Sequence, residues 1–350
     1  MRALTVEPGR ADSARLEKVP EPPLEDGSVL VRTLGIGICG TDIEIVSGAY
    51  GASPEGRSRL ILGHESLGRV EAAPMDCGFA AGDLVVGIVR RPDPEPCRYC
   101  AAGEWDMCAN GRYVERGIKG LDGYGSDYFR IAPEFAVPVD PALGMAGVLL
   151  EPASIVTKAW EHAERIGQRS AAWRPRSVLV TGAGPIGLLA ALLGVQRGLE
   201  VHVMDRAEAG PKPQLVKDLG ATYHVGALPG PDACRPDMVF ECTGAPSLVL
   251  DVLRRNGSPG IVCLAGLSSG RHVLSLDVAA LDRSMVLEND VVFGAVNANR
   301  SHYEKAAAAL GAADRSWLDR LISRRVAPEH WADALRKQPH DVKVVLDFTL

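Results

Sequence analysis

Apolar and polar positions follow two different patterns along this chain. Up to about residue 150, short β-branched runs separated by glycine and proline predict strands joined by turns, as in SVLVRTLGIGI and DLVVGIVR. Residues 161–294 instead alternate apolar runs with helical stretches, as βαβ units around a parallel sheet do: SVLVT, PIGLLAALLGVQRG, VHVMD, QLVKDLG, DMVFECTG, LVLDVLRRNG and IVCLAG. The last segment predicts helices and then a strand, DVKVVLDF, that returns to the first domain. We therefore expect an α/β protein with a mainly β domain and a doubly wound parallel-sheet domain.

The stretch VLVTGAGPIGLLAAL is nearly free of charge and fits either half of a membrane span or a turn that grips phosphate. A span needs roughly 20 apolar residues in one helix. This run instead holds three glycines and a proline near its start. We interpret it as a strand, a tight turn and a buried helix.

The turn in this stretch has the spacing G-x-G-x-x-G. The first glycine permits the turn, the second lets a pyrophosphate approach the backbone, and the third lets the helix pack on the strand. Free N–H groups at the helix start receive the anion. Because a strand precedes the motif and an apolar helix follows it, we expect a dinucleotide site formed by Gly182, Gly184, Pro185, Ile186 and Gly187.

The next predicted strand ends at an acid, Asp205. It lies 18 positions after Gly187, close to the roughly 20 expected for a carboxylate that accepts from the adenosine ribose hydroxyls. Asp205 would repel a 2′-phosphate, which favours NAD over NADP as the cofactor. The adjacent Arg206 could pair with that phosphate, so NADP stays open.

Composition and charge narrow the classes of protein that fit. The 350 residues suggest two domains, and 46% hydrophobic with 23% charged residues is typical of a globular protein. The net charge of -6 offers no basic stripe, so we expect no nucleic-acid partner, and we expect no membrane partner. The charged, proline-containing start lacks the apolar core of a secretory signal, which predicts a cytoplasmic protein whose eight cysteines stay reduced.

Two loop-like segments, CGTD and GHE, offer metal ligands of different chemistry. Cys39 supplies a thiolate, His64 an imidazole and Glu65 a carboxylate. This borderline-soft set suits zinc, and a catalytic zinc keeps one position for water or substrate. Glu151, in LLEPAS at the boundary of the two domains, is a fourth candidate.

The order of the motifs CGTD, GHESLGRV, GDLV, LEP and GAGPIG resembles that of zinc-dependent medium-chain dehydrogenases over essentially the whole chain. VRRP, YVERGIKGLDGY, FGAVNANRSHY and DVKVVLDF are similar to the glucose 1-dehydrogenase branch. The resemblance implies a GroES-like catalytic domain made of residues 1–160 and 295–350, and a Rossmann domain made of residues 161–294. Because relatives form dimers and tetramers, it also implies a homo-oligomer.

The resemblance assigns the catalytic zinc to Cys39, His64 and Glu151. Glu65 would be a second carboxylate able to join or leave the metal. Thr41 would place its hydroxyl beside the zinc-bound oxygen.

The substrate site implied by the resemblance is polar. Glu115 and Asn297 lie where sugar-oxidising relatives place hydrogen-bonding partners for substrate hydroxyls, with Asn297 also near the nicotinamide, and Glu151 would add an acceptor. Unpaired polar groups penalise a simple aliphatic alcohol. We therefore expect hydride transfer from C1 of an aldose, β-D-glucose to gluconolactone, with zinc and NAD(P)+. Another polyol, cyclitol or secondary alcohol is the alternative, and a non-catalytic dinucleotide- or sugar-binding protein is a remote one.

A second cysteine cluster departs from the family pattern. Relatives with a structural zinc carry Cys-x2-Cys-x2-Cys-x7-Cys, and here Pro94 occupies the first ligand position. Structural zinc almost always takes four ligands. Either Asp93 or Glu95 completes the site, or the site is weakened or empty, and the three remaining ligands for a possible structural zinc are Cys97, Cys100 and Cys108.

Overall fold

The computed structural model describes residues 1–230, 232–254 and 260–350. Its strands are β1 (Arg2–Val6), β2 (Arg15–Lys18), β3 (Val29–Ile38), β4 (Leu60–Ile61), β5 (Glu65–Ala72), β6 (Leu84–Gly87), β7 (Arg90–Arg91), β8 (Val114–Arg116), β9 (Gly120–Leu121), β10 (Tyr128–Ile131), β11 (Ala136–Pro138), β12 (Ser177–Thr181), β13 (Glu200–Asp205), β14 (Thr222–Val225), β15 (Met238–Glu241), β16 (Ile261–Leu264), β17 (Val291–Gly294), β18 (Ile322–Val326) and β19 (Lys343–Asp347). Its helices are α1 (Gly40–Val46), α2 (Arg98–Ala101), α3 (Leu150–Gly167), α4 (Pro185–Gln196), α5 (Pro211–Asp218), α6 (Pro246–Arg254), α7 (Val278–Glu288), α8 (Arg300–Gly311), α9 (Arg315–Leu321) and α10 (Trp331–Leu335). The end of the predicted run LVLDVLRRNG, residues 255–257, lies outside the described residues.

One compact unit consists of Met1–Ser154 and Asn297–Leu350. Its main sheet has the order β11-β6-β5-β3-β19-β18, and β10 also pairs with β3. All of these pairs are antiparallel except β18 with β19. Val29, Val31 and Ile36 of β3 and Val70 of β5 lie in one buried cluster of side chains. The unit is therefore held around β3 and β5, and the candidate ligand residues lie at the ends of these two strands.

The second compact unit is Ile155–Val296, and its described strands form a six-stranded parallel sheet. The order is β14-β13-β12-β15-β16-β17, with every neighbouring pair parallel. Numbered along this unit, the order is 3-2-1-4-5-6, the doubly wound arrangement that binds dinucleotides at the carboxyl ends of its strands. This finding confirms the parallel-sheet fold predicted from the sequence.

The glycine turn between β12 and α4 has the geometry that its sequence predicts. Gly182 adopts a φ of +90°, which side chains rarely tolerate. A Cβ atom at Gly187 would lie 1.7 Å from the carbonyl oxygen of Gly182, so only glycine fits there. Gly184 is the N-cap residue of α4 and Pro185 its first residue, where the missing N–H has no cost. The stretch is a strand, a turn and a buried helix, as predicted.

A different run, Pro141–Gly167, is the one described helical segment long and apolar enough to cross a bilayer by length and composition. However, 78% of its most apolar window is buried inside the protein, and the backbone is non-helical at Gly144. A buried core helix passes the same test. The length and composition of Pro141–Gly167 therefore do not indicate a membrane span.

The end of the chain differs from the sequence prediction at one element. The sequence predicts only helices before the final strand DVKVVLDF, and SWLDRLIS lies in that part, but α9 ends at Leu321 and β18 begins at Ile322. The residues of β18 alternate between half-buried and exposed, which is typical of an edge strand. Arg324 takes the half-buried position between Ile322 and Val326, so it interrupts the apolar alternation that marks a strand.

Candidate active site

Cys39, His64 and Glu65 are brought together at the end of β3 and the start of β5. One ligand atom from each lies within 4.8 Å of the other two. Cys39 follows β3 as the N-cap residue of α1, and Glu65 pairs with Gly37 across the two strands. A Cβ atom at Gly37 would lie 2.1 Å from Glu65 Oε2, so this glycine makes room for the carboxylate.

Asp42 links the thiol and the imidazole of this cluster. Its Oδ2 accepts from the Cys39 backbone N–H at 2.9 Å, and its Oδ1 lies 3.3 Å from His64 Nδ1. Burial lowers the pKa of His64, but the charges of Asp42 and Cys39 outweigh it, so the pKa of the metal-free imidazole lies well above its usual value. With Nδ1 directed at Asp42, Nε2 is the nitrogen left for a ligand. Asp42 is a residue that the sequence pattern did not single out, although it belongs to CGTD.

Lys343 pairs with Glu65 and was also missed. Its Nζ donates to both carboxylate oxygens, at 2.7 Å for Oε1, and to the carbonyl oxygen of Ile38 at 3.1 Å. Both side chains are only 2% exposed. Burial alone would lower the pKa of Lys343, but the negative charges around it, of which Glu65 is the largest contributor, together have a larger effect in the opposite direction, so the pKa of Lys343 lies above its usual value. The signal in the sequence is a lysine directly before the apolar run VVL in DVKVVLDF.

Glu151 lies at the start of α3 and is 4% exposed. Burial raises its pKa to about 8, with the charge of Glu65 adding to the shift and those of His64 and Lys343 opposing it. Its carboxylate lies outside the 4.8 Å group of Cys39, His64 and Glu65. The Thr41 hydroxyl oxygen, Oγ1, lies 3.9 Å from Cys39 Sγ.

Glu115 and Asn297 are brought into contact although they are far apart in the chain. Asn297 Nδ2 donates to Glu115 Oε1 at 2.5 Å, and the same oxygen accepts from Arg90 Nε at 3.1 Å and Nη2 at 3.0 Å. All three residues are buried. The guanidinium of Arg90 also lies 3.7 Å from the ring centroid of Tyr113. Glu115 therefore uses Oε1 within the protein. Arg90, in VRRP, is a further residue that sequence reasoning did not single out.

The second cysteine cluster, Cys97, Cys100 and Cys108, is called the knuckle below, and its three thiols also lie close together. The sulfurs of Cys97, Cys100 and Cys108 lie within 4.8 Å of one another, with Cys97 Sγ 3.8 Å from Cys100 Sγ. Backbone N–H groups of Cys100 and Ala109 lower the pKa of Cys97 to about 6, while burial raises the pKa of Cys100 to about 11. None of the eight cysteines forms a disulfide within the described residues.

Neither carboxylate proposed as the fourth knuckle ligand joins the sulfurs. Asp93 is buried and accepts from the Glu95 backbone N–H at 2.9 Å and from Arg112 Nε at 3.2 Å. Glu95 is 81% exposed in its side chain and pairs with Arg112 Nη2 at 2.8 Å. Within the described residues, the group contains three sulfurs and no carboxylate.

Asp205 lies beside the glycine turn, where the sequence analysis places it. Its Oδ2 accepts from the Ala183 N–H at 2.7 Å and lies 3.3 Å from Lys212 Nζ, and its Oδ1 accepts from the Ala207 N–H at 3.0 Å. Burial raises the pKa of Asp205, but these N–H groups and Lys212 together lower it below its usual value. Arg206 is exposed.

Comparison with known proteins identifies the family. Residues 25–141 match the alcohol dehydrogenase GroES-like domain, and residues 144–348 match the glucose dehydrogenase C-terminus. The glucose 1-dehydrogenase of Methanocella arvoryzae is 41% identical and that of Thermoproteus tenax 38% identical, each over 99% of both chains.

Solved structures agree with this assignment. The glucose dehydrogenase of Haloferax mediterranei, in complex with NADP, Zn and gluconolactone, has a TM-score of 0.90 and 32% identity over 100% of both chains. Galactitol-1-phosphate dehydrogenase from Escherichia coli, at 22% identity and a TM-score of 0.80, shares the fold. A GroES-like domain with a Rossmann domain is thus confirmed, as is the class of zinc-dependent NAD(P) oxidoreductases. The chain belongs to the zinc-dependent medium-chain dehydrogenases, in the glucose 1-dehydrogenase family.

Proposed function

We propose that this protein oxidises an aldose, β-D-glucose, at C1 to the lactone, with a zinc ion and NAD(P)+. The observation that carries the proposal is the buried cluster of Cys39, His64 and Glu65, in a chain whose full-length relatives are glucose 1-dehydrogenases. The two compact units take the roles of a catalytic domain and a dinucleotide-binding domain.

The donor set fits zinc. A thiolate, an imidazole and a carboxylate are ligands that catalytic zinc sites use, with one position left for substrate. His64 Nδ1 lies 3.3 Å from Asp42 Oδ1, and zinc-bound histidines use a carboxylate at this nitrogen to set their tautomer. Cys39 Sγ, His64 Nε2 and one carboxylate, from Glu65 or Glu151, would hold the ion. Zinc acts as a Lewis acid that lowers the pKa of a bound hydroxyl.

The side chains around the cluster have separate tasks in this proposal. Asp42 keeps the His64 ring in one orientation, and Lys343 holds the carboxylate of Glu65 at a defined place. Burial raises the pKa of Glu151 to about 8 in the metal-free protein, and a bound zinc ion would lower it again and favour the carboxylate form that can approach the metal. The Thr41 hydroxyl would be the first step on the way out for the proton that the sugar hydroxyl loses.

The specificity for a sugar rests on Glu115 and Asn297. Arg90 and Asn297 both bind Glu115 Oε1, so Oε2 is left to accept from a sugar hydroxyl. A substrate without that hydroxyl leaves a buried acceptor unpaired, which costs about 1–3 kcal/mol. A polyhydroxylated substrate is therefore preferred over a simple alcohol.

The cofactor site is the glycine turn. Gly182, Gly184 and Gly187, with Pro185 and Ile186 between them, form the pyrophosphate cradle at the start of α4, and Asp205 faces the adenosine ribose. A dinucleotide held by these residues would supply the acceptor for the hydride that leaves C1 of the sugar.

The knuckle is proposed to hold a second zinc by the three thiolates of Cys97, Cys100 and Cys108, with the fourth ligand supplied by solvent. Asp93 and Glu95 both form ion pairs with Arg112, so neither is proposed as the fourth ligand. An open coordination position makes this zinc easier to remove than the first. Eight free thiols also support a reducing compartment, the cytoplasm.

A homo-oligomer is proposed to form through α7 and β17. Val278, Val286 and Leu287 of α7 are 65%, 68% and 63% exposed, and α7 contains no buried residue. β17 lies at the edge of the parallel sheet, with one side of its backbone open. The proposal predicts that Val286→Lys dissociates the oligomer in light scattering, while Met75→Lys, at a 94% exposed position of the other unit, does not.

Two experiments test the function. Initial rates with glucose, galactose, xylose and inositol, each with NAD+ and NADP+, should give the highest kcat/KM for glucose or another aldose. A clear preference for inositol or an alditol over every aldose would favour the polyol alternative.

Cys39→Ser should abolish turnover and leave binding of the reduced dinucleotide unchanged, because the thiolate acts on the metal and not on the glycine turn. Cys77→Ser, at a lone and half-buried thiol, is the matched control and should retain turnover. Turnover by the Cys39→Ser protein with no metal at the site would refute the assignment.

A further inference from the structure

The hydrogen-bonding capacity of Asp205 is largely used inside the protein. Its carboxylate has about four lone-pair positions. Oδ2 accepts from the Ala183 N–H and faces Lys212 Nζ, while Oδ1 accepts from the Ala207 N–H. About one lone-pair position of this carboxylate therefore remains free, whereas a ribose with two free hydroxyls would use two.

The segment after Asp205 is anchored from both sides. The Ala207 N–H donates to Asp205, and its carbonyl oxygen accepts from the Tyr223 hydroxyl at 2.6 Å. This fixes the backbone on which Arg206 stands, with its side chain exposed. Lys212 approaches the same carboxylate from α5, and its side chain is 17% exposed. Asp205 thus has Lys212 beside its carboxylate and largely removed from solvent, whereas Arg206 is its exposed neighbour in the chain.

These charges suit a phosphorylated ribose. A phosphate monoester carries about −1.5 to −2 charges at neutral pH, so Asp205 alone would repel it. A lysine ammonium has three donors on a flexible stem and can bond a carboxylate and a phosphate together. Lys212 is placed to screen the acid from the phosphate and to bind the phosphate itself.

We propose that Lys212 is the residue that lets this protein accept NADP+ as well as NAD+, through contact with the phosphate on the adenosine ribose. The inference rests on the proposed function, which supplies the dinucleotide. From the sequence alone, Asp205 favours NAD, and Arg206 is the one residue considered as a partner for the phosphate of NADP. Lys212 is a second such partner. A charged phosphate binds an ammonium more strongly than a neutral ribose hydroxyl does, so loss of Lys212 affects the two dinucleotides unequally.

The test is a titration of the full-length protein with NADPH and with NADH in the absence of sugar. The fluorescence of the reduced nicotinamide reports binding and gives a Kd for each dinucleotide. Wild type is expected to bind both. Lys212→Met should raise the Kd for NADPH by about tenfold or more, which equals 1.4 kcal/mol, and the Kd for NADH by less than about threefold. Lys212→Arg should restore NADPH binding. Lys217→Met removes the same charge from an exposed position of the same helix and should change neither Kd.

Each other result has a defined meaning. An equal loss for both dinucleotides in Lys212→Met would show that the lysine only supports the fold or a ribose hydroxyl, and would overturn the proposal. Unchanged binding of both, or a wild type that binds NADH but not NADPH, would overturn it as well. If wild type bound neither dinucleotide, the proposed function would fail together with the inference, whereas the preceding outcomes leave the function intact. NADH binding by Lys212→Met also shows that the variant is folded.

Discussion

Two clusters in this protein each bring three ligand atoms within 4.8 Å, yet they are built in different ways. The cluster of Cys39, His64 and Glu65 combines three kinds of donor with partners from distant segments, such as Lys343. The knuckle consists of thiols alone from one short segment, and two of its three cysteines are partly exposed.

The difference shows what a catalytic metal site needs beyond ligands. Asp42 orients the imidazole and Lys343 positions the carboxylate, so the first cluster depends on the whole sheet around β3, β5 and β19. The knuckle depends on a local turn and two backbone N–H groups. We therefore expect changes in the partners of the first cluster to have large effects and changes in the knuckle to have small ones.

Lys343→Met should have the largest effect on stability. Removing one partner of a buried ion pair leaves an uncompensated charge and costs about 3–5 kcal/mol. We expect the free energy of unfolding of the metal-free protein, from chemical denaturation, to fall by this amount. Arg336→Met, which breaks an exposed pair with Asp333, is the control and should cost less than about 1 kcal/mol. Equal costs for the two variants would contradict a special role for the Lys343 pair.

Asp42→Asn should weaken zinc binding by about 10- to 100-fold, because the histidine loses the carboxylate that orients it. The amide oxygen can still accept from the Cys39 N–H, so α1 keeps its cap. Competition with a chelating dye measures the affinity. Asp314→Asn makes the same aspartate-to-asparagine exchange at the N-cap of α9 and should not alter zinc binding. Zinc affinity that stays at the wild-type value in Asp42→Asn would remove Asp42 from the site.

Pro94→Cys should complete the knuckle. The new thiol occupies the position of the first cysteine in the four-cysteine pattern, so the protein should retain a second zinc under mild chelation that removes it from wild type. Turnover should stay the same, since the knuckle is not catalytic. Pro92→Cys adds a thiol outside the pattern and should retain no extra zinc. Loss of turnover in Pro94→Cys would erase the contrast between the two clusters.

The smallest effect concerns the reactivity of Cys97. Its pKa is lowered to about 6 by the N–H groups of Cys100 and Ala109, so its thiolate is present above that pH and lost below it. Alkylation of the metal-free protein should therefore include a step with a midpoint near pH 6, which Cys97→Ser abolishes. A midpoint near the ordinary value of 9.0 would show that the knuckle backbone does not stabilise the thiolate.

The sequence predicted those parts of the fold and site that depend on local patterns. The G-x-G-x-x-G turn, the alternating apolar runs of the parallel sheet and the motifs around Cys39 and His64 each lie in a few consecutive residues. Three lysines and arginines of the site were missed because each acts through a partner that no local pattern includes. Lys343 pairs with Glu65, Arg90 with Glu115 and Lys212 with Asp205. β18 was missed because its arginines obscure its apolar alternation.

Glu151 shows the same limit from the opposite side. The family resemblance implies that it is a zinc ligand, while the structure places Glu65 within the 4.8 Å group and Glu151 outside it. The choice between two buried carboxylates depends on which of them Lys343 and the metal engage. No pattern in consecutive residues contains that information.

The most direct test of the account is anomalous X-ray diffraction at the zinc edge on crystals of the purified protein. The account predicts a strong peak bonded to Cys39 Sγ and His64 Nε2, at about 2.3 Å and 2.0–2.1 Å, and that this peak vanishes in Cys39→Ser. An active protein with no peak at Cys39 and His64, or with a peak at the knuckle alone, would contradict it.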